Sequence, residues 1–216
     1  MRLDVVIVIP AWNEEKTIEK VINGVKSKAK IIVVNDCSSD QTSELAERAG
    51  AIVVNHSENK GYDAALSSGF DKAAEHGFNY IITFDADGQH ISESIDKMIT
   101  KLEEGFHLVL GVRPKKARLT EEIMGWYFKA RFGVEDILCG VKAYHIDLYN
   151  GNKGFDHINS IGSELSLYAL KKNIAFEQIP LTVLDREDAS RFGNALKGNL
   201  RIAKAFTRIL KKDLLS

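Results

Sequence analysis

Two aspartates separated by a single residue follow an apolar stretch of the chain. Asp85 and Asp87 come directly after the apolar residues 80–84, and Gln89 adds a neutral oxygen two residues later. Carboxylate and amide oxygens suit hard divalent ions such as Mg2+, which commonly keep water and substrate phosphates as further ligands. A metal ion held there can neutralise the charge that grows on a departing diphosphate. An isolated pair of this kind is more often a helix cap beside a turn, so the predicted metal site depends on what surrounds it.

Three more polar clusters follow apolar runs, at residues 10–15, 35–40 and 59–61. In a parallel α/β sheet, ligands gather beyond the carboxyl ends of the strands, so the clusters should meet. Asp36 can accept a hydrogen bond from a nucleobase ring N–H, and Pro10 and Trp12 can flank that base. Turn formation is the alternative role for Asp36, whereas Asp40 is expected to cap the next helix.

The elements that must position these clusters follow from hydrophobic periodicity. Apolar runs predict strands at 3–9, 30–34, 51–54, 80–84 and 107–111, and helical spacing predicts helices at 14–27, 40–49, 62–76 and 93–102. Strands that read as nearly continuous apolar runs are typical of sheets covered on both faces. This alternation predicts a doubly wound α/β fold with a parallel sheet in the first half.

The second half departs from this alternation. It predicts helices near 120–131 and 160–172, and a strand near 176–184 whose Pro180 favours an edge position. We expect one catalytic domain over residues 1–192, with a nucleotide-binding half at 1–112 and an acceptor half at 113–192. We expect residues 193–216 to form a basic, amphipathic C-terminal helix.

Composition narrows the classes of function. The chain has 216 residues and a net charge of -1, which gives no global attraction to nucleic acid. The N-terminal apolar run is too short for a signal peptide, and no run of about eighteen apolar residues is present to cross a bilayer. Cys37 and Cys139 lack metal-binding spacing and are expected to be reduced thiols. These features predict a cytoplasmic protein in which any membrane contact is peripheral, on the cytosolic face.

The C-terminal helix offers such a contact. Residues 191–216 carry a net charge of +6. Their helical spacing predicts an apolar stripe beside a cationic one, with the apolar stripe formed by Leu196, Leu200, Ala203, Phe206, Leu210 and Leu214. Binding to an anionic membrane surface and packing on the protein core both fit this pattern.

Taken together and in order, the four clusters resemble the successive motifs of family 2 glycosyltransferases. Residues 136–144, Asp-Ile-Leu-Cys-Gly-Val-Lys-Ala-Tyr, together with Glu164–Leu165 and residues 179–186, resemble segments of the polyprenyl-phosphate sugar synthases, including the dolichyl-phosphate mannose synthases. This resemblance extends over roughly residues 5–206. It implies a GT-A fold, which is a Rossmann-like, mostly parallel sheet flanked by helices in a single domain.

The resemblance also implies roles for individual residues. The nucleotide would be held by Pro10, Ala11, Trp12, Glu14, Asp36 and Asp85, and Mg2+ or Mn2+ by Asp85, Asp87 and Gln89. Phosphate groups would be bound by Arg113, Arg186 and Arg191, because arginine presents a planar array of donors. Residues expected to act in catalysis are Asp87, Glu164 and Arg186.

The implied reaction is transfer of a sugar from a GDP- or UDP-sugar with inversion at the anomeric carbon. A polyprenyl phosphate acceptor needs positioning rather than deprotonation, because phosphate monoesters have a second pKa of about 6. A sugar hydroxyl acceptor would need a general base, and Glu164 or Asp136 would be the first carboxylates to test.

Three other classes of protein are alternatives to a glycosyltransferase. A nucleotidyltransferase would carry a glycine-rich basic loop where this chain has residues 10–13, and a dinucleotide-dependent oxidoreductase would carry GxGxxG after the first strand. Neither motif is present. A noncatalytic nucleotide-sugar sensor remains an alternative.

Overall fold

The computed structural model describes residues 4–89, 92–116, 118–184 and 195–215. These residues form one domain built on a seven-stranded sheet with the strand order β3-β2-β1-β4-β6-β5-β7. In chain order the elements are β1 Val5–Ala11, α1 Ile18–Val25, β2 Lys30–Asn35, α2 Thr42–Arg48, β3 Ile52–Asn55, α3 Tyr62–Glu75, β4 Tyr80–Thr83, α4 Glu93–Glu103, β5 Leu108–Val112, α5 Leu119–Phe132, β6 Lys142–His145, α6 Ile146–Asn152, α7 Glu164–Lys171, β7 Phe176–Pro180 and α8 Ala195–Leu215.

The predicted parallel first half is confirmed. Strand β1 pairs in parallel with both β2 and β4, and β2 pairs in parallel with β3. Successive side chains of β1 point to opposite faces. Val6 and Val8 pack in the core with α3, α5 and α8, while Ile7 and Ile9 pack in the core with α1, α2 and α4. Because both faces of the sheet are covered, its central strands are apolar throughout, as the sequence predicts.

The sheet is not wholly parallel, because β6 lies antiparallel between β4 and β5. The sequence pattern missed this strand. It has only four residues, of which Lys142 and His145 are polar, and the helix α6 follows at once. Burial of Lys142 is possible because its Nζ donates to the carbonyl oxygen of Gly162 at 2.6 Å. Strand β7 is at the edge, as predicted from Pro180, but ends at that residue.

The helix predicted at 160–172 begins instead at Glu164. Backbone φ is positive at Asn159, Ile161 and Gly162, so no helix can include this stretch. The carboxylate of Asp156 accepts the backbone N–H of Ser160 at 3.0 Å and organises the preceding turn. Periodicity could not detect these backbone conformations because it records only where apolar residues recur.

Helix α8 packs on α5 and α7 through Ile202, Ala205 and Ile209, which are buried in the core. The apolar stripe predicted from Leu196 is not the core-facing one, since Leu196 and Leu200 are more than half exposed. Both sets have helical spacing, so this helix has two apolar faces and the pattern alone could not choose between them. None of the helices in the described part of the chain is long and apolar enough to span a bilayer.

Candidate active site

The four polar clusters meet in one cleft at the carboxyl ends of the parallel strands. Its volume is about 520 Å³, within the range of ligand pockets. Nine of the predicted site residues line it, namely Pro10, Ala11, Trp12, Glu14, Asp36, Asp85, Asp87, Gln89 and Arg113. Arg186 and Arg191 lie outside the described residues.

Asp36 joins two of the clusters. Its buried carboxylate accepts the backbone N–H groups of Lys60 at 2.8 Å and Gly61 at 2.7 Å, and lies 2.7 Å from Nδ1 of His56. Gly61 has a φ of 88°, a conformation that favours glycine. The turn-forming role considered for Asp36 is therefore real, and it places the carboxylate in the wall of the cleft.

The loop after β1 is held against the loop after β2. Asn13, which has a positive φ, donates its N–H to Oγ of Ser38 at 2.9 Å, and the N–H of Glu14 donates to Oγ1 of Thr42 at 2.8 Å. Asp40 accepts the N–H of Thr42, the first residue of α2, at 3.0 Å, but the N-cap position itself is Gln41, one residue later than predicted. These contacts fix Trp12, which keeps 43% of its surface exposed in the cleft wall and offers a face for stacking.

Asp85 and Asp87 follow β4 at the floor of the cleft. The hydroxyl of Tyr62 donates to Asp85 at 3.5 Å, and the N–H of Gln89 donates to Asp87 at 3.1 Å. Burial, followed by the charges of Asp85 and Asp63, raises the pKa of Tyr62 well above its usual value. The phenol therefore remains protonated and can act as a donor.

This donor set fits a divalent ion that takes part of its coordination from a ligand. The described part of the chain holds no group of three or more His, Cys, Asp or Glu side chains arranged for a metal. The cleft thus supplies two carboxylates and the amide oxygen of Gln89. Mg2+ is typically held by one or two carboxylates together with substrate phosphates, so a diphosphate would complete such a site.

Gly140 determines where the Asp85 carboxylate can lie. A Cβ atom at position 140 would stand 2.0 Å from Oδ2 of Asp85. The carbonyl of Gly140 also accepts a hydrogen bond from Oγ1 of Thr83 at 2.6 Å, which ties the segment to the end of β4. Because Gly140 has no side chain, the carboxylate of Asp85 can occupy the space that a Cβ atom would fill.

Arg113 lines the cleft and is also tied to buried carboxylates. Its guanidinium forms two hydrogen bonds to Asp136, at 2.7 and 3.0 Å, and an ion pair with Glu121 at 3.1 Å. Burial lowers the pKa of Arg113, but the contact with Asp136 and the neighbouring Cys139 and Glu121 together raise it above its usual value. Burial raises the pKa of Asp136, but the hydrogen bonds and the charge of Arg113, together with the charge of Lys116, lower it below its usual value. Arg113 thus organises the cleft wall, and phosphate binding by it stays a prediction.

Glu164 is not among the residues that line the cleft. It is fully buried and accepts the backbone N–H groups of His157 and Ile158, while its other oxygen contacts Lys212 and Nδ1 of His157. Burial raises the pKa of Glu164, but Lys212 and His157 together lower it below its usual value. This environment supports a structural anion rather than a base.

The family match of residues 6–154 agrees with this geometry. The profile of the family described as "Glycosyl transferase family 2" matches residues 6–154, which include every strand-end cluster. The chain belongs to glycosyl transferase family 2.

Two relatives illustrate its place among family 2 enzymes. The chain is 34% identical to a UDP-N-acetylglucosamine–dolichyl-phosphate N-acetylglucosaminyltransferase of Methanococcus voltae, over 52% of this chain and 53% of that protein. It is 24% identical to the polyprenol monophosphomannose synthase of Mycolicibacterium smegmatis, over 84% of this chain and 77% of that protein. The first match spans about half of its relative.

Solved structures show the same fold. Glucosyl-3-phosphoglycerate synthase of Mycobacterium tuberculosis, in a complex with Mn2+, UDP and phosphoglyceric acid, superposes with a TM-score of 0.72 at 20% identity, covering 96% of this chain and 78% of that one. The likeness at this level of identity concerns the fold alone. The chain therefore has a GT-A-like architecture.

Several residues that line the cleft of this family 2 glycosyltransferase were not predicted from the sequence. They include Tyr62 and four cleft residues of the second half, namely Lys115, Arg118, Glu121 and Arg201. A cavity of about 180 Å³ adjoins the cleft, shares Arg201 and adds Lys60, Lys204 and Arg208. The sequence does show clusters of cations near the N-terminal ends of α5 and α8. It does not show that these two helix ends lie side by side, so these cations could not be assigned to the cleft.

Proposed function

We propose that this family 2 glycosyltransferase moves a sugar from a UDP- or GDP-sugar to a polyprenyl phosphate, with inversion and with Mg2+ or Mn2+ as its cofactor, at the cytosolic face of a membrane. One observation carries the proposal. A single cleft brings the strand-end carboxylates of the first half together with Arg113, Lys115, Arg118 and Arg201 of the second. The arrangement suits a donor diphosphate with its metal beside an anionic acceptor.

The donor is proposed to lie over the ends of β1, β2 and β4. Trp12 and Pro10 flank the base, Asp36 accepts its ring N–H, and Ala11 and Glu14 complete the nucleoside wall. Asp85, Asp87 and Gln89 would hold the metal, and Asp85 also approaches the nucleotide. When bound, the metal supplies Lewis-acid stabilisation of the departing diphosphate. One relative is named for a UDP-sugar and the other for mannose transfer. The test therefore includes both UDP- and GDP-sugars.

The acceptor is proposed to be a phosphate because the second half of the cleft presents cations, and its carboxylate Glu121 is paired with Arg113 and Arg118. Of the two carboxylates considered as general bases, Glu164 is buried away from the cleft and Asp136 is paired with Arg113. A dianionic phosphate needs neither, since it attacks without losing a proton. Arg186 and Arg191 stay predictions as further phosphate ligands. Two polyprenyl-phosphate enzymes among the relatives support the same class of acceptor.

The test crosses a panel of UDP- and GDP-sugars with polyprenyl phosphates, glycans and no acceptor, and identifies products by mass. We expect a glycosyl polyprenyl phosphate and metal-dependent nucleotide release. Asp87→Asn should lower kcat at least about 10²-fold, because it removes charge that stabilises the transition state. Asp147→Asn, at an exposed position, is the matched control and should keep wild-type turnover.

Other outcomes contradict the proposal in separate ways. Full activity in excess chelator, or in folded Asp87→Asn protein, would exclude the metal mechanism. Products formed only on glycan hydroxyls would replace the acceptor class. Tight nucleotide-sugar binding without turnover on any acceptor would establish a sensor.

A further inference from the structure

Helix α5 presents large apolar side chains to solvent. Leu119, Ile123 and Trp126 are each at least half exposed, and Trp126 is 72% exposed. Their spacing places them on one stripe of the helix. Met124 and Phe128 occupy the opposite, core-facing side and are fully buried. The exposed stripe is thus additional to the one that packs the helix on the domain.

Helix α8 carries a similar second stripe. Leu196 and Leu200 are more than half exposed, Ala203 is exposed on the next turn, and Leu214 is exposed near the end of the helix. These residues follow helical spacing on a face that differs from that of the buried Ile202, Ala205 and Ile209.

The two stripes lie on the same side of the molecule. Contacts between the helices pair Thr120 with Asn199 at 2.7 Å, the rings of Tyr127 and Phe206 at 5.5 Å, and Arg131 with Asp213 at 3.4 Å. The helices therefore run parallel. At 3.6 residues per turn, these contact residues lie between the core-facing and the exposed stripe on each helix. Both exposed stripes therefore lie on the solvent side of the contact between α5 and α8. We call these two stripes together the outer face.

A row of cations borders the outer face. Lys197, Lys204 and Lys211 are exposed and recur along one line of α8, next to its apolar stripe. Among the described residues of α8, the acidic side chain is Asp213, which is buried and contacts Tyr127 and Arg131. The charge that α8 presents to solvent is therefore positive.

The outer face also begins at the mouth of the cleft. Arg118 and Arg201 line the cleft, and each is the direct neighbour in sequence of a residue of the outer face, Leu119 and Leu200. A lipid whose phosphate lay among these cations would thus have its chain next to apolar side chains.

We infer that the outer face of α5 and α8 is a docking surface for an anionic lipid bilayer. Its apolar side chains enter the boundary between headgroups and acyl chains while the lysines contact anionic headgroups. Such pairing of apolar burial with cationic contacts is how interfacial helices bind. The inference rests on the proposed function, because docking serves catalysis when the acceptor is itself a lipid phosphate.

A second copy of the chain is the other occupant to consider. A twofold pairing brings the same patch of each copy together. It would therefore place the lysine rows of two α8 helices close to each other, and the exposed carboxylate of Glu122, which neighbours Leu119 and Trp126 on α5, would neutralise only part of their charge. An anionic bilayer supplies that neutralising charge, which is why charge favours lipid over self-association.

Tryptophan fluorescence tests the inference directly, because the chain has only Trp12 and Trp126. In full-length Trp12→Phe protein, emission reports Trp126 alone. Adding phosphatidylcholine vesicles that contain phosphatidylserine should shift this emission to the blue, and bromine on the acyl chains should quench it. Pure phosphatidylcholine or high salt should lower partitioning at least about tenfold, since cations near an anionic surface contribute strongly.

Substitutions distinguish specific binding through the outer face from nonspecific adsorption to vesicles. Ile123→Ser with Leu200→Ser should lower vesicle partitioning at least tenfold at unchanged helicity. Leu215→Ser is the control for loss of an exposed leucine, since Leu215 is 77% exposed on α8 but continues the line of the lysines rather than the apolar stripe, and it should lower partitioning much less than the double substitution. Unshifted Trp126 emission, equal loss in the Leu215 variant, or a dimer in sedimentation that the double substitution abolishes would overturn the inference.

Failure of this inference is distinguishable from failure of the proposed function. Wild-type turnover on a short-chain, water-soluble polyprenyl phosphate needs no vesicle. Turnover there without vesicle binding would leave the function standing and remove the docking surface. Vesicle binding through the outer face without turnover on any polyprenyl phosphate would remove the proposed acceptor.

Discussion

Adding a single methyl group at position 140 should disable the proposed metal site while leaving the fold intact. In the Gly140→Ala protein, the new Cβ would stand 2.0 Å from Oδ2 of Asp85, whereas ordinary contact begins at 3.4 Å. The carboxylate must therefore move by about 1.4 Å or rotate away. Gly140 does not have a positive φ, so the clash is steric and the backbone itself can accept alanine.

The expected effect follows from that displacement. Misplacing a catalytic group by about 1 Å can lower the rate about 10²-fold, so kcat should fall at least that far. Apparent affinity for Mn2+ should weaken in parallel. Overpacking costs about 1–3 kcal/mol, which for a domain of this size lowers Tm by several degrees, and the protein should still fold cooperatively.

Steady-state kinetics with a Mn2+ titration, together with a thermal melt, would measure both effects. Gly24→Ala is the matched control, because a Cβ there meets nothing within 4 Å and the residue lies in α1 away from the cleft. It should keep full activity and gain up to about 1 kcal/mol of stability from helix propensity. Wild-type kcat and Mn2+ affinity in Gly140→Ala protein would refute the assignment of Asp85 to the metal.

Two further substitutions test the proposed donor and acceptor sites. Asp36→Ala should weaken binding of the nucleoside diphosphate about 10- to 150-fold by calorimetry, as expected from losing a hydrogen bond to a charged group, while Asp36→Asn should lose less; unchanged affinity in a folded Asp36→Ala protein would leave Asp36 with its turn role alone. Glu164→Gln should destabilise the protein by about 1–3 kcal/mol at pH 7, because the amide oxygen can still accept the buried N–H groups but its NH2 group faces Lys212 and His157 without the charge that paired with Lys212, yet the variant should keep kcat on polyprenyl phosphate. The pKa of Glu164 is lowered by folding, so its stabilisation is present above the unfolded pKa of about 4.3 and is lost as pH falls through the folded value; urea unfolding should therefore show the difference from wild type shrinking in acid. Glu75→Gln, at an exposed position, is the control, and a kcat loss of about 10² or more in Glu164→Gln would restore Glu164 as a base.

The first half of the fold was predictable because each of its elements carries its own local signal. Runs such as Val5–Ala11 are apolar throughout and end at polar clusters, and the parallel topology then brings those ends together. For this reason Asp36 and Asp85, far apart in sequence, were correctly predicted to share one cleft.

The second half was less predictable because its signals are not local. The short strand β6 can be recognised by its pairing with β4 and β5, which are distant in sequence, but not by its composition. Glu164 resembles a catalytic carboxylate in sequence, and only its contacts with His157 and Lys212 show it to be buried in an ion pair. The two apolar stripes of α8 could be assigned only once the position of α5 was known.

The place of β6 in the sheet has a consequence for how the chain is made. Strands β4 and β5 each pair with β6 and are not neighbours, so both keep an open edge until residues 142–145 have emerged from the ribosome. Unpaired edges invite pairing with other chains. A fragment that stopped at residue 112 would therefore hold all four strand-end clusters and still leave β4 open on one side and β5 without either of its neighbours. Residues 1–112 are therefore not expected to fold alone, because their last two strands find their neighbours only when residues 142–145 and 176–180 have been synthesised.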